Sequence, residues 1–100
     1  MNRSLRIGVV EDEPLMQRYL EETLTLLGYQ VLFLAQTAQE FFAKCKAQRP
    51  DLVITDIRLP DMDGLEAAAQ VYAEEPLPIV VVSAFHDPEL IERAEGGSQP

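Results

Sequence analysis

Acidic side chains follow two apolar segments of the sequence, at the points where each segment would end as a buried strand. Glu11, Asp12 and Glu13 follow LRIGVV, and Asp56 follows LVIT. Ser83 ends a third apolar segment, PIVVV. The carboxyl ends of neighbouring parallel strands line one edge of a sheet, so we expect these side chains to converge there if strands one and three are neighbours.

Carboxylates that converge in this way repel each other, and the repulsion raises the pKa of at least one of them unless a cation compensates. A donor set of oxygen atoms without His or Cys favours Mg²⁺ or another hard cation. A bound divalent ion would also allow a carboxylate to approach a phosphate despite their like charge. The pattern therefore predicts a magnesium site suited to phosphorus chemistry.

Each of these residue types also has an ordinary structural role. Acidic runs after a strand are typical of solvated loops and helix caps, and Ser83 would serve equally as a hydrogen-bonding residue at a strand end. Asp61 and Asp63 are better explained as turn and cap residues than as ligands. Arg58 and His86 are expected to be exposed loop side chains.

The segment DMDG also resembles part of a calcium-binding EF-hand loop. That loop needs acids or amides at its first, third and fifth positions and Glu at its twelfth. With Gly64 in the place of the fixed glycine, Leu59 falls at the first position and Gln70 at the twelfth. The sequence therefore excludes calcium binding of this type.

The segments that carry these residues alternate between strand and helix patterns. Nearly continuous apolar runs are expected of strands that are covered on both faces of a parallel sheet. Pro14 suits a first helical turn and Gly28 a helix end, while Thr37 and Glu40 form a capping box. The predicted strands are 5–10, 29–35, 52–55 and 78–84, and the predicted helices are 14–28, 38–48, 63–72 and one that begins near Asp87.

This alternation of strands and helices predicts the fold class. Short connections imply right-handed crossovers and a parallel sheet with helices on both faces, which is a doubly wound α/β fold. The chain has 100 residues, 47% of them apolar, which suffices for one core. We therefore expect a single domain over residues 1–100, with a disordered tail over about 96–100.

The charge and the hydropathy of the chain exclude several classes of partner. Residues 1–50 carry six basic and six acidic side chains, whereas residues 51–100 carry two and eleven, so the net charge of −9 belongs to the second half. Nucleic acid is not expected as a direct partner, since its binding depends on basic patches. No run reaches the roughly 20 apolar residues of a membrane span, and acids follow the N-terminus too soon for a signal peptide, which predicts a cytoplasmic protein. The single cysteine, Cys45, is expected on a helix without a disulfide or metal role.

Three motifs together resemble the receiver domain of two-component response regulators, the phosphoacceptor partner of a sensor histidine kinase. They are VVEDEP at 9–14, LVITDIRLPDMDG at 52–64 and VVVSA at 80–84. The resemblance covers nearly the whole chain and implies a flavodoxin-like sheet with the strand order 2-1-3-4. It also implies a histidine kinase or phosphotransfer protein as donor, and a downstream protein partner.

The resemblance implies a role for each matching residue. Asp56 occupies the position that accepts the phosphoryl group, and it shares Mg²⁺ binding with Asp12. The backbone carbonyl of Arg58 would be a further ligand, and Glu11 would act through water. Ser83 occupies the position of the hydroxyl residue that bonds the phosphoryl group and relays the phosphorylated state. Such a domain catalyses its own phosphorylation and is not otherwise an enzyme.

The sequence departs from the family pattern at its C-terminal end. Receivers continue through a fifth strand, which ends in a Lys-Pro pair, and a fifth helix. The lysines of this chain are Lys44 and Lys46, on the predicted second helix. The missing lysine should weaken stabilisation of the phosphoryl group. The missing strand should leave residues 79–82 as an exposed apolar edge, so we expect self-association there.

Two other functions remain open from the residues alone. The missing lysine favours a pseudo-receiver that is not phosphorylated and acts as a protein-interaction module. A small phosphatase of the haloacid-dehalogenase type would also use Asp56 as nucleophile. Such an enzyme has a second Asp two residues further on, where this chain has Arg58, so the sequence disfavours it.

Overall fold

The structure, a computed structural model, describes residues 4–82 as a parallel sheet with helices on both faces. The elements are β1 (Arg6–Val10), α1 (Pro14–Leu26), β2 (Gln30–Ala35), α2 (Ala38–Ala47), β3 (Leu52–Asp56), α3 (Gly64–Glu74) and β4 (Ile79–Val82). The strand order is β2-β1-β3-β4, with parallel pairing throughout. The predicted fold class and strand order are therefore confirmed, and the order of the strands reverses between β1 and β3.

Apolar side chains on the two faces of the sheet form two separate clusters. Ile7 and Val9 belong to the cluster under α1, whereas Val10 belongs to the larger cluster under α2 and α3. Phe41 and Val53 of that larger cluster are completely buried. Neighbouring valines join different clusters because successive side chains of a strand point to opposite faces. The nearly continuous apolar strands of the sequence thus reflect burial on both faces.

A glycine in β1 makes room for the aromatic ring of the neighbouring strand. A Cβ atom at Gly8 would lie 2.4 Å from Cζ of Phe33, closer than two carbon atoms approach. The pairing register between the two strands shifts at this point, from Ile7 opposite Val31 to Gly8 opposite Phe33. The ring of Phe33 therefore occupies the space that the side chain of any larger residue at position 8 would need.

Pro14 and Gly28, the predicted start and stop residues of helix α1, lie at its two ends. The carboxylate of Glu13 accepts hydrogen bonds from the N–H groups of Leu15 (2.9 Å) and Met16 (3.2 Å), and Pro14 is the first helical residue. The helix ends at Leu26, two residues before the predicted boundary. Gly28 follows with a φ of +95°, a conformation that glycine adopts without strain.

Helix α2 begins with hydrogen bonds close to those of the predicted capping box. The hydroxyl of Thr37 accepts from the N–H of Glu40 at 3.0 Å. The carboxylate of Glu40 accepts in return from the N–H of Gln36 at 2.8 Å, one residue earlier than in the usual motif. Both side chains thus satisfy backbone donors around the first turn of α2.

Other element boundaries within the described residues differ from the predicted ones by one or two residues. Strand β3 includes Asp56, because this residue pairs in register with Val82 of β4. Helix α3 continues to Glu74, two residues beyond the predicted end. Ser83, the helix predicted near Asp87 and the tail at 96–100 lie outside the described residues. None of the helices within 4–82 combines the length and the apolar composition of a membrane span.

Candidate metal and phosphoacceptor site

The end of β1 holds a completely buried carboxylate. Glu11 is 0% exposed, its N–H donates to the carbonyl of Ala35 (2.8 Å), and its Oε2 accepts from the N–H of Glu13 (3.0 Å). The side-chain amide of Gln17 donates to the carbonyls of Glu11 (3.1 Å) and Ala35 (3.3 Å). These bonds tie the loop after β1 to the end of β2 and to α1, so the position of Glu11 is fixed from three elements.

The end of β3 holds a second buried carboxylate, that of Asp56, which is 1% exposed. Its Oδ1 accepts from the N–H of Arg58 at 3.3 Å. The N–H of Gly64 donates to the carbonyl of Ile57 at 2.6 Å, and a Cβ atom at Gly64 would lie 2.0 Å from the carbonyl oxygen of Asp56. The start of α3 therefore lies directly against the backbone of this residue, which only glycine allows.

Three carboxylates meet where these strand ends come together. Oxygen atoms of Glu11, Asp12 and Asp56 all lie within 4.8 Å of one another, and Asp12 is half-buried. Like charges at this separation and depth favour the binding of a cation. An all-oxygen donor set of this kind fits Mg²⁺, with water completing the coordination.

The structure does not bring every predicted site residue into this group, which we call the acidic cluster: Glu11, Asp12 and Asp56. Glu13 does not join it, because its carboxylate caps α1. Arg58 is exposed and forms an antiparallel bridge with Asp63, and its role as a carbonyl ligand stays a prediction. Ser83 and His86 lie outside the described residues, and the role of Ser83 likewise stays a prediction.

The two acids of the loop between β3 and α3 both cap helices, as their turn-and-cap prediction implied. Asp63 accepts from the N–H of Leu65 at 2.7 Å and begins α3. Asp61 instead accepts from Ala38 (2.8 Å) and Gln39 (3.1 Å), the first residues of α2. The hydrogen bond from Ala38 in particular lowers the pKa of Asp61. Sequence reasoning did not foresee which helix Asp61 caps, because the partners lie 22 and 23 residues away along the chain.

Cys45 lies on α2, as predicted, and lines a cavity between α2 and α3. Phe42, Val71 and Leu77 form apolar parts of this cavity, and Arg49 stands at its edge in an ion pair with Glu75 (2.7 Å). Burial raises the pKa of the thiol to about 11, so it is protonated at neutral pH. No residue of the acidic cluster lines this cavity.

Comparison with known proteins assigns the family. In a doubly wound sheet, ligands bind at the switch point of the strand order, which is where the acidic cluster lies. The family model for the response regulator receiver domain matches residues 7–97. The chain belongs to this family, as its motifs predicted. It is 38% identical over 89 residues to the transcriptional regulatory protein PdtaR of Mycobacterium tuberculosis, which covers 89% of this chain and 43% of PdtaR.

Solved structures agree with this assignment. The signal receiver domain of the response regulator NarL from Mycobacterium tuberculosis matches with a TM-score of 0.79 and 30% identity, over 94% of this chain and 77% of that one. The response regulator PhyR from Brucella abortus matches with a TM-score of 0.78 and 29% identity, over 98% of this chain and 39% of PhyR. The chain thus spans less than half the length of PdtaR and of PhyR.

Proposed function

We propose that the chain accepts a phosphoryl group on Asp56, with Mg²⁺ bound at the acidic cluster. The donor is a sensor histidine kinase or a phosphotransfer protein. The observation that carries the proposal is the convergence of three carboxylates within 4.8 Å, two of them buried, at the carboxyl edge of the sheet. A structural ion pair or helix cap would not need this arrangement. Membership of the receiver family supports a role for it in phosphoryl transfer.

The reaction is a phosphoryl transfer to a carboxylate. An oxygen of Asp56 forms a new P–O bond in line with the bond that breaks, and the imidazole of the donor leaves with the electron pair of the former P–N bond. Mg²⁺ at the cluster would neutralise charge on the transferred oxygens. The chain itself supplies orientation: the N–H of Arg58 holds Oδ1 of Asp56, and Gly64 lets α3 approach behind it.

Acetyl phosphate, a small phosphoryl donor, tests the proposal directly. We expect incubation with acetyl phosphate and Mg²⁺ to add one phosphoryl group, measured by intact mass, and Asp56→Asn to abolish the addition. Asp51→Asn is the matched control, because Asp51 immediately precedes the same strand at its opposite end and is hydrogen bonded to Arg6. Absence of the mass gain in the wild-type chain, or its persistence in Asp56→Asn, would contradict the proposal.

A second candidate function is a pseudo-receiver that binds protein partners without phosphorylation. It is favoured by the positions of the lysines, because receivers take the lysine that stabilises the phosphoryl group from a fifth strand. Lys44 and Lys46 of this chain are instead both exposed on α2. Lys44 donates to the carbonyl of Leu34. Partner binding that is independent of Mg²⁺ and unchanged in Asp56→Asn would identify this function.

The partners of either function are proteins. We infer a downstream protein partner from the signalling family, since a receiver transmits its state through contacts. We also infer association between copies of the chain through β4. Among the described residues this strand pairs only with β3, and Val80 on it is 46% exposed.

A further inference from the structure

The carboxylate of Asp61 connects the loop between β3 and α3 to helix α2. Both oxygens of Asp61 are used: Oδ1 accepts from the N–H of Ala38 at 2.8 Å and Oδ2 from the N–H of Gln39 at 3.1 Å. These donors belong to the first turn of α2, where helix amides have no acceptor within the helix. The contact therefore joins a loop and a helix that are distant in the sequence.

The two hydrogen bonds complement the cap that α2 already has. Thr37 accepts from the N–H of Glu40, the third helical residue, and does not satisfy the first two amides. Asp61 satisfies those two, and its negative charge lies at the positive end of the helix dipole. Hydrogen bonding from Ala38 lowers the pKa of Asp61, so the carboxylate is charged at neutral pH. Both hydrogen bonds to Asp61 are therefore charge-assisted.

The same loop carries the backbone around Asp56. The N–H of Arg58 donates to Oδ1 of Asp56 at 3.3 Å. The loop then folds back on itself through the N–H of Leu59, which donates to the carbonyl of Met62 at 3.3 Å. Asp61 lies within this turn, so its two hydrogen bonds connect the turn that follows Arg58 to the start of α2.

We propose that Asp61 is a positioning residue for the acidic cluster: its carboxylate holds the loop that carries Arg58 against α2, and so sets the affinity of the cluster for Mg²⁺. The second half of this inference rests on the proposed metal site. The competing explanation is that Asp61 only stabilises α2, as any cap does. Thr37 separates the two explanations, because its side chain caps the same helix without any contact to the loop in the described hydrogen bonds.

The first experiment compares Asp61→Ala with Thr37→Ala in the metal-free protein. Each change removes a side-chain acceptor from the first turn of α2. We expect both to lower the melting temperature, but only Asp61→Ala to speed amide hydrogen exchange at Leu59 and Gly64, by roughly tenfold or more. The exchange rates in Asp61→Asn should be intermediate. Its side chain keeps one acceptor oxygen, which is uncharged, and the amide nitrogen cannot accept the second hydrogen bond. Equal exchange at these amides in Asp61→Ala and Thr37→Ala would overturn the proposal.

The second experiment measures Mg²⁺ binding by titration calorimetry. We expect Asp61→Ala to raise the dissociation constant roughly tenfold, as removal of supporting residues around metal sites does, and Thr37→Ala to leave it within about twofold. The same affinity in both variants would show that Asp61 does not position the cluster. If the wild-type chain takes up no Mg²⁺, the proposed metal site fails, and the exchange at Leu59 and Gly64 alone decides whether Asp61 holds the loop.

Discussion

Glu11 and Asp56 are buried, whereas most charged side chains in proteins are exposed. A buried carboxylate loses its hydration, and a like charge nearby adds repulsion, so both effects cost stability in the folded chain. The two carboxylates are 0% and 1% exposed, and both lie within 4.8 Å of an oxygen of Asp12. This cost is expected at a site that a cation or a phosphoryl group is meant to occupy, rather than in a structural core.

Removal of one of these charges should therefore stabilise the metal-free protein. We expect Asp56→Asn to raise the free energy of unfolding by about 1 to 2 kcal/mol in the absence of Mg²⁺, because it removes a buried like charge at nearly constant volume. Urea denaturation with and without Mg²⁺ measures this effect. Added Mg²⁺ should stabilise the wild-type chain and have little effect on Asp56→Asn, since a ligand stabilises only the state that binds it.

Asp51→Asn is again the matched control for this charge effect. Asp51 accepts hydrogen bonds from the backbone N–H of Arg6 (2.8 Å) and from its guanidinium (3.4 Å). We expect its replacement to lower the free energy of unfolding and to leave the response to Mg²⁺ intact. Equal destabilisation by Asp56→Asn and Asp51→Asn would mean that Asp56 has a stabilising role instead.

The elements show which parts of the site local sequence can predict. Strands β1 and β3 were predictable because nearly continuous apolar runs end at acids, and the cap at Asp63 because its partner is two residues away. The hydrogen bond from the N–H of Ala38 to Asp61 was not predictable, because it depends on how α2 packs beside the loop. Glu13 was grouped with the other acids, but capping of α1 determines its position. Local patterns thus predict elements and caps, whereas contacts between elements follow only from packing.

We expect the start of α3 to be sensitive to substitution, because it lies against the backbone of β3. Its first residue, Gly64, has the Asp56 carbonyl oxygen 2.0 Å from where a Cβ atom would be. We expect Gly64→Ala to lower the free energy of unfolding by about 1 to 3 kcal/mol, as overpacking against backbone does, and also to weaken Mg²⁺ binding. Thermal unfolding and titration calorimetry measure the two effects.

Gly28→Ala provides the comparison for Gly64→Ala. Gly28 has a φ of +95° and open space around it, so alanine there should cost about 1 kcal/mol through backbone strain alone. Its Mg²⁺ affinity should be that of the wild-type chain. If Gly64→Ala were also to bind Mg²⁺ normally, the close approach of α3 to β3 would matter for folding and not for the site.

At the scale of the whole molecule, β4 is an apolar edge strand of four residues, and its one described neighbour is β3. The carbonyl groups of Pro78 and Val82 accept from β3, so in this parallel pair Val80 faces β3 as well, while Ile79 and Val81 direct their backbone groups to the other edge. An edge of this kind recruits another strand. The proposed self-association would therefore use the backbone of Ile79 and Val81.

Val81→Pro tests this association without breaking the sheet of the monomer. Proline removes the N–H that faces the outer edge, and edge positions tolerate it. We expect the wild-type chain to show a weight-average mass that rises with concentration in light scattering, and Val81→Pro to remain near the monomer mass. Val80→Pro is the contrasting variant, because it removes a donor directed at β3 and should unfold the strand instead. A wild-type chain that stays monomeric at high concentration would show that β4 does not pair between copies.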